Sequence, residues 1–239
     1  AVGVLVGLVD AAFGLGLNAC TAIRTKYFWY LIWFLPLGGV FIWFIYHQFG
    51  KSVANGMKMV FHVGLGKNSK LPIRMVPLAV IGTWTTHLFG GSAGREGVAV
   101  QIGAAVSNNV GRLVDKTIDI ENSRKMFLIT GMAAGFSGLF CTPLAAIFFA
   151  LEVLVAGKLE YHALIPATVA SISAAFTSRA LGLRKFHINI LETLNYHPST
   201  YNAVFLLKLA AMGLCFGIVG SLFALILWYL HTWQYLLKR

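Results

Sequence analysis

The 239-residue chain is 58% hydrophobic and 11% charged, with a mean hydropathy of +0.75, more apolar surface than a soluble domain of this size covers with polar groups. A water-soluble globular domain is thereby excluded, and a membrane is the implied solvent. The net charge of +11 comes from Lys and Arg spread along the chain with no basic block or aromatic-interleaved patch, which argues against nucleic acid and for loops at a bilayer surface.

Apolar runs occupy 2–22, 28–46, 75–89, 97–113, 126–140, 144–157, 161–181 and 202–230, where a simple span takes about 20 residues. The first, 1–22, has no basic n-region or cleavage-like site before or after it and reads as a span, not a signal peptide. If it and 28–46 both cross, the connections 24–26 and 47–74 face opposite sides. Lys51, Lys58, Lys67, Lys70 and Arg74 in the second outnumber Arg24 and Lys26 in the first, so the positive-inside tendency places 47–74 in the cytoplasm. Several of the following runs are too short to cross unaided. A whole series of them, rich in glycine, predicts tilted and broken helices packed inside protein, the pattern of channels and transporters.

The expected architecture is one all-α polytopic domain, with polar breaks at 51–70, 115–125, 158–161 and 183–198. The last break carries His187, Asn189, Glu192, Asn195 and His197 and precedes a long apolar helix over 201–237, which exceeds a bilayer and must tilt or project. Cys20, Cys141 and Cys215 lie far apart in apolar runs without metal-ligand spacing and read as small fillers. No metal, nucleotide or organic cofactor is expected.

The chemistry concentrates in Gly90-Gly91-Ser92-Ala93-Gly94-Arg95-Glu96-Gly97-Val98-Ala99-Val100-Gln101-Ile102-Gly103. Here one apolar helix stops, the backbone turns on glycines, and another helix begins. Free N–H groups at a helix start, together with the helix dipole, attract an anion, and glycines let the backbone approach it. Glu96 falls where that anion would sit. Ionised, its carboxylate occupies the site; protonated, it vacates it, which links anion passage to proton movement. The plainer reading is a first-turn glutamate favoured by the dipole and paired with Arg95.

Gly94-Arg95-Glu96-Gly97 followed by Val100-Gln101-Ile102-Gly103 resembles the Gly-Arg-Glu-Gly-Pro-x-Val-Gln-Ile-Gly signature of the CLC chloride channels and anion/proton exchangers. Downstream, Thr130-Gly131-Met132-Ala133-Ala134-Gly135-Phe136 and Pro143-Leu144-Ala145-Ala146-Ile147-Phe148-Phe149-Ala150-Leu151-Glu152 resemble that family's next two helices in order and spacing. The resemblance covers essentially the whole chain, but only the first of the two inverted halves of a family subunit. It implies a CLC-like fold, a homodimer with a separate pathway in each subunit, and a complementary second half on the same or another chain; a fragment of a longer polypeptide is the preferred expectation.

Departures from the signature narrow the branch. The family's Gly-Ser-Gly-Ile-Pro, whose serine contacts the central anion, is replaced by Gly56-Met57-Lys58-Met59-Val60; Val98 stands where proline is usual; Val153 stands where the exchangers carry a proton-relay glutamate. These losses are similar to the fluoride/proton antiporter branch, as is the context Pro72-Ile73-Arg74-Met75-Val76-Pro77-Leu78 and Thr86-His87-Leu88-Phe89-Gly90. The resemblance implies a fluoride exporter of the bacterial inner membrane, with fluoride or chloride and protons as its ions. In it Gly94, Arg95, Glu96, Gly97 and Val98 form an outer anion site, and Gly56 and Met57, at the start of a short helix, an inner approach. Met57 also reads as a gap-filling core residue, and a thioether offers no donor to a strongly hydrated ion. Glu152 reads as structural, held by a partner, more than as a proton relay.

Other classes compete. Gly90-Gly91-Ser92-Ala93-Gly94 fits Gly-x-Ser-x-Gly, and an intramembrane serine hydrolase with His87 as base would use it, but that pattern belongs after a strand. A binding or scaffold role suits a half-length membrane chain. A chloride channel or chloride/proton exchanger that lost the serine shares both fold and Glu96.

Overall fold

The structure, a computed structural model, describes residues 1–66, 71–114, 123–155, 157–184 and 203–237, with the backbone alone at 231 and 234–237. The described helices are α1 (Val2–Leu31), α2 (Leu35–Phe49), α3 (Met57–Gly64), α4 (Met75–Leu88), α5 (Glu96–Val114), α6 (Ser123–Phe140), α7 (Pro143–Glu152), α8 (Leu164–Ala180) and α9 (Ala203–Leu237), with single 3₁₀ turns at Ile32–Phe34 and Tyr161–Ala163. No strand occurs among the described residues. The all-α, broken-helix expectation holds: α3 has 8 residues, α7 has 10 and α4 has 14. Two stretches, Val2–Phe49 and Ala203–Leu230, are long and apolar enough to cross a membrane.

One expectation is corrected. Residues 24–26 do not form a connection; they continue α1, and the break comes at Tyr27, which leaves helical geometry (φ −119°, ψ 28°), and at the 3₁₀ turn beyond it. Arg and Lys are good helix formers, and the Thr21 and Thr25 hydroxyls bond back to the Leu17 and Thr21 carbonyls at 2.9 Å, so nothing polar here needs to leave the helix. Pro36, without an N–H, is tolerated in the first turn of α2. The break 183–198 and its histidines lie largely outside the described residues.

The chain divides into two units, Ala1–Phe186 and His187–Arg239. In the first, α6 is the central helix, packed by α1, α5, α7 and α8, and residues 128–135 are buried without interruption. Gly, Ala and Ser make that burial possible because they let backbones meet. A Cβ on Gly103 or Gly131 would strike the other residue's carbonyl, and one on Gly135 would strike the Ala99 carbonyl. Ala99/Gly103 on α5 and Gly131/Gly135 on α6 are thus paired small-xxx-small stripes. Hydroxyls then stitch helix to helix: Ser137 Oγ donates to the Ser171 carbonyl (2.8 Å), Ser171 Oγ to Pro143 (3.1 Å), and Ser178 Oγ to Gly7 (3.1 Å). Trp84 Nε1 donates to the Phe13 carbonyl (3.0 Å), tying α4 to α1.

The second unit contributes α9, 35 residues long and overwhelmingly apolar. Its side chains are exposed at nearly every described position, Leu214 by 71% and Trp228 by 68%. An apolar helix without a polar face is a membrane element or a buried one, never a water-exposed one.

Candidate anion site

The α4 helix stops where glycine permits. Gly90 adopts a left-handed conformation (φ +85°), its N–H donates to the His87 carbonyl (3.3 Å), and the Gly91 N–H donates to Thr86 (2.8 Å). This is the Schellman pattern, which completes the helix end and reverses the chain. Residues 91–95 then cross to α5, whose first residue is Glu96. The Arg95 carbonyl accepts the first helical bond, from the Ala99 N–H (3.0 Å). The N–H groups of Glu96, Gly97 and Val98 have no backbone acceptor among the described residues, as the geometry of a helix start requires.

Glu96 is exposed at this opening and Arg95 is half-buried. The Glu96 carboxylate folds back over the preceding loop: a Cβ on Gly94 would lie 3.3 Å from its Oε2. No ion pair joins it to Arg95 among the described residues. A carboxylate at the positive pole of a helix, beside amides without backbone acceptors, sits in a field that favours negative charge.

The α3 start differs. Gly56, at φ +48°, introduces the helix, but the Lys58 and Met59 N–H groups are already bound to Asn55 and Gly56 (3.0 and 3.1 Å), leaving fewer free donors. Met57 is the first residue of α3, half-buried, and packs on the apolar cluster around Val60 and Leu128.

A cavity of about 280 Å³ lies between these two helix starts. It collects Tyr46 from α2, Gly56, Thr83 and Thr86 from α4, Val98 and Gln101 from α5, with Ala93 from the crossing loop. Of the predicted site residues, Gly56 and Val98 line it; Met57, Gly94, Arg95, Glu96 and Gly97 do not, the last four standing at the α5 opening. Gln101, Thr83, Thr86 and Tyr46 went unremarked as site residues in sequence. For Gln101 a signal existed, because it stands four residues after Gly97 on one helical face; for residues on α2 and α4 no motif announces a shared cavity.

Asp10 is the lone acidic residue of the first apolar run, and no motif marks it in the sequence. It is fully buried in α1, with neither carboxylate oxygen paired among the described residues. Gly138 of α6 admits it, since a Cβ there would lie 3.2 Å from its carboxyl carbon.

The remaining candidates resolve simply. Glu152, the last residue of α7, is exposed and accepts the Gly157 N–H at 3.2 Å, closing a turn. His87 Nδ1 donates to the Thr83 carbonyl (3.0 Å), no hydrogen bond joins it to Ser92 among the described residues, and the element before Ser92 is the helix α4. That is not the strand-to-helix elbow of a serine hydrolase. Cys20 is half-buried, Cys141 buried and Cys215 exposed, all free. Among the described residues no group of three His, Cys, Asp or Glu converges to hold a metal.

The chain is similar to known proteins. The profile of the family described as "Voltage gated chloride channel" matches residues 38–239. A "Chloride/fluoride channel protein" of Pseudomonas syringae pv. tomato is 37% identical over 223 residues, 93% of this chain and 47% of that protein. The "H(+)/Cl(-) exchange transporter ClcA" of Citrobacter koseri is 32% identical over 157 residues, 63% of this chain and 30% of that protein. A crystal structure of a CLC-type fluoride/proton antiporter superposes with a TM-score of 0.81 at 45% identity, covering 92% of this chain and 53% of the other. The chain spans about half the length of the relatives it matches.

Proposed function

The chain belongs to the voltage gated chloride channel family, and on that premise we propose that it is the first inverted half of a fluoride/proton antiporter that exports fluoride across a bacterial inner membrane, driven by inward proton movement. The completed protein works as a homodimer, each subunit with its own pathway. Glu96 is its gate and proton carrier. Ionised, the carboxylate competes with the anion for the amides of Glu96, Gly97 and Val98; protonated, it releases them and moves with its proton. The observation that carries this reading is the carboxylate at the opening of α5, folded over Gly94 beside amides without acceptors. The fluoride branch is supported by the likeness to the fluoride/proton antiporter, at 45% identity over nearly the whole chain, and by Met57 in place of serine.

A second reading, a chloride channel or chloride/proton exchanger, is favoured by the 32% identity to a proton/chloride exchanger. Reconstitution of the full-length protein in liposomes, with fluoride and chloride electrodes and an internal pH probe, separates the two. The expected outcome is fluoride efflux coupled to proton uptake, with little chloride flux. Glu96→Gln should abolish the coupling while leaving the protein folded. Coupled exchange at the unmodified rate in that variant refutes the role of Glu96, and chloride preference refutes the branch.

A further inference from the structure

The cavity between α3 and α5 contains few groups able to donate a hydrogen bond to an ion. The Thr83 and Thr86 hydroxyls are committed to their own helix, donating to the Ala79 and Gly82 carbonyls at 2.7 and 2.8 Å. Val98 and Ala93 offer only apolar side chains. Two side-chain donors are left: the Tyr46 hydroxyl on α2, which makes no hydrogen bond among the described residues, and Gln101, the one of the two carried by α5 itself. Gln101 is half-buried, lines the cavity, and its carboxamide makes no side-chain hydrogen bond among the described residues.

Its position follows from helix geometry. Side chains on a helix lean toward the N-terminus, so Gln101 reaches back over Gly97, one turn earlier, toward the unpaired amides. A Cβ on Gly97 would lie 3.9 Å from Gln101 Nε2; a Cβ on Gly56 would lie 3.7 Å from Nε2 and 3.8 Å from Oε1. One carboxamide therefore spans the two helix starts, and the absent side chains at Gly56 and Gly97 leave the space around it open. The near-equal distances from Gly56 mean that either orientation of the amide keeps it in the gap.

We propose that Gln101 is a selectivity-determining donor of the pathway, its NH₂ group replacing water on a small, strongly hydrated anion as the ion passes between the α3 start and the α5 start. This rests on the anion-transport reading and adds a ligand to it. A neutral amide suits the task because it supplies two N–H donors without the charge that would hold the ion in place. A small, high-field anion gains more from such a donor than a larger, softer one, so loss of the amide penalises fluoride before chloride.

The test uses the full-length protein in liposomes, carrying Gln101→Met, which keeps length and removes the donors, and Gln101→Asn, which keeps the amide but withdraws it by one methylene. Fluoride and chloride efflux are measured in parallel on protein that elutes as a single species. The expected result for Gln101→Met is a fall of about tenfold or more in the fluoride-to-chloride flux ratio, the scale of losing a donor to a charged group, with Gln101→Asn intermediate. An unchanged ratio in Gln101→Met overturns the proposal. Should that variant not fold, an unchanged ratio in Gln101→Asn overturns it and a lowered one supports it. The Glu96→Gln control keeps the two readings apart: coupling lost there with the ratio unmoved in the Gln101 variants rejects the donor role alone, whereas coupling retained there rejects the exchange reading beneath it.

Discussion

Gly94 has no side chain, and the Glu96 carboxylate lies in the space where one would begin. On the proposed reading, that placement sets Glu96 to respond to whatever occupies the α5 opening, since its oxygens and an anion seek the same donors. Ser92, two residues before Gly94, is exposed and makes no hydrogen bond among the described residues. Ser92→Ala should leave ion flux in liposomes unchanged; complete loss of function in that variant would instead favour hydrolytic chemistry. Glu96 and its glycines are legible from sequence because they are consecutive and sit where an apolar run stops and restarts. Gln101 is half-legible, since its helical offset from Gly97 is visible but the approach of Gly56 from α3 is not. Tyr46, Thr83 and Thr86 could not be foreseen, because their convergence depends on how α2 and α4 lean on α5. Met57 shows the converse: adjacent in sequence to the cavity-lining Gly56, it turns its side chain onto the core.

At the scale of elements, the site is positioned by the contact between α5 and α6. Ala99 lies one turn beyond Glu96, and Gly135 of α6 approaches its carbonyl so closely that no Cβ fits. Gly135→Val should therefore push α5 away, at a cost of about 1–3 kcal/mol, and lower both the thermal stability of the purified protein and its transport rate. Equal stability and rate in that variant would show that the α5 opening is held by something else. The helices themselves follow from apolar runs bounded by Gly and Pro, and the short ones were readable as short. The kink at Tyr27 was not. Charged residues at 24–26 suggested a loop, yet a helix carries Arg and Lys readily when no glycine or proline interrupts it. With residues 24–26 inside α1, the lysines and arginines of 47–74 have no counterpart loop there to be weighed against.

For the molecule as a whole, an ion pair outside the apolar layer ties the start of α6 to the segment leading into α8. Lys125 Nζ donates to Glu160 Oε1 at 2.7 Å, and the side chains keep 33% and 14% of their surface exposed. The hydrogen bond from Lys125 holds the Glu160 carboxyl below its ordinary value of 4.5, aided by the charges of Lys125, Lys158 and His162 and opposed by partial burial. A depressed carboxyl contributes stability above its unfolded value and loses it as pH falls through the lower folded one. The pair should contribute about 1 kcal/mol or less near neutrality. Melting temperatures in detergent, compared for unmodified protein and Glu160→Gln, should differ slightly at pH 7 and converge as the pH falls well below 4.5; a gap that persists at low pH would locate the effect in packing. Membrane character was the most legible property of all, because composition alone demands it. The cavity was the least, being a product of three helices and the two connections that lead into α3 and α5.

The glycine cap on α4 has an electrostatic consequence for its neighbour. A helix that ends beside another's beginning normally presents its last carbonyls, a partial negative charge, to anything approaching the second helix. Here the Thr86 and His87 oxygens are occupied by Gly91 and Gly90, so the repulsive pole next door is muffled before an ion arrives. The pull of the α5 start on a negative charge is therefore opposed less than it would be beside an uncapped helix end.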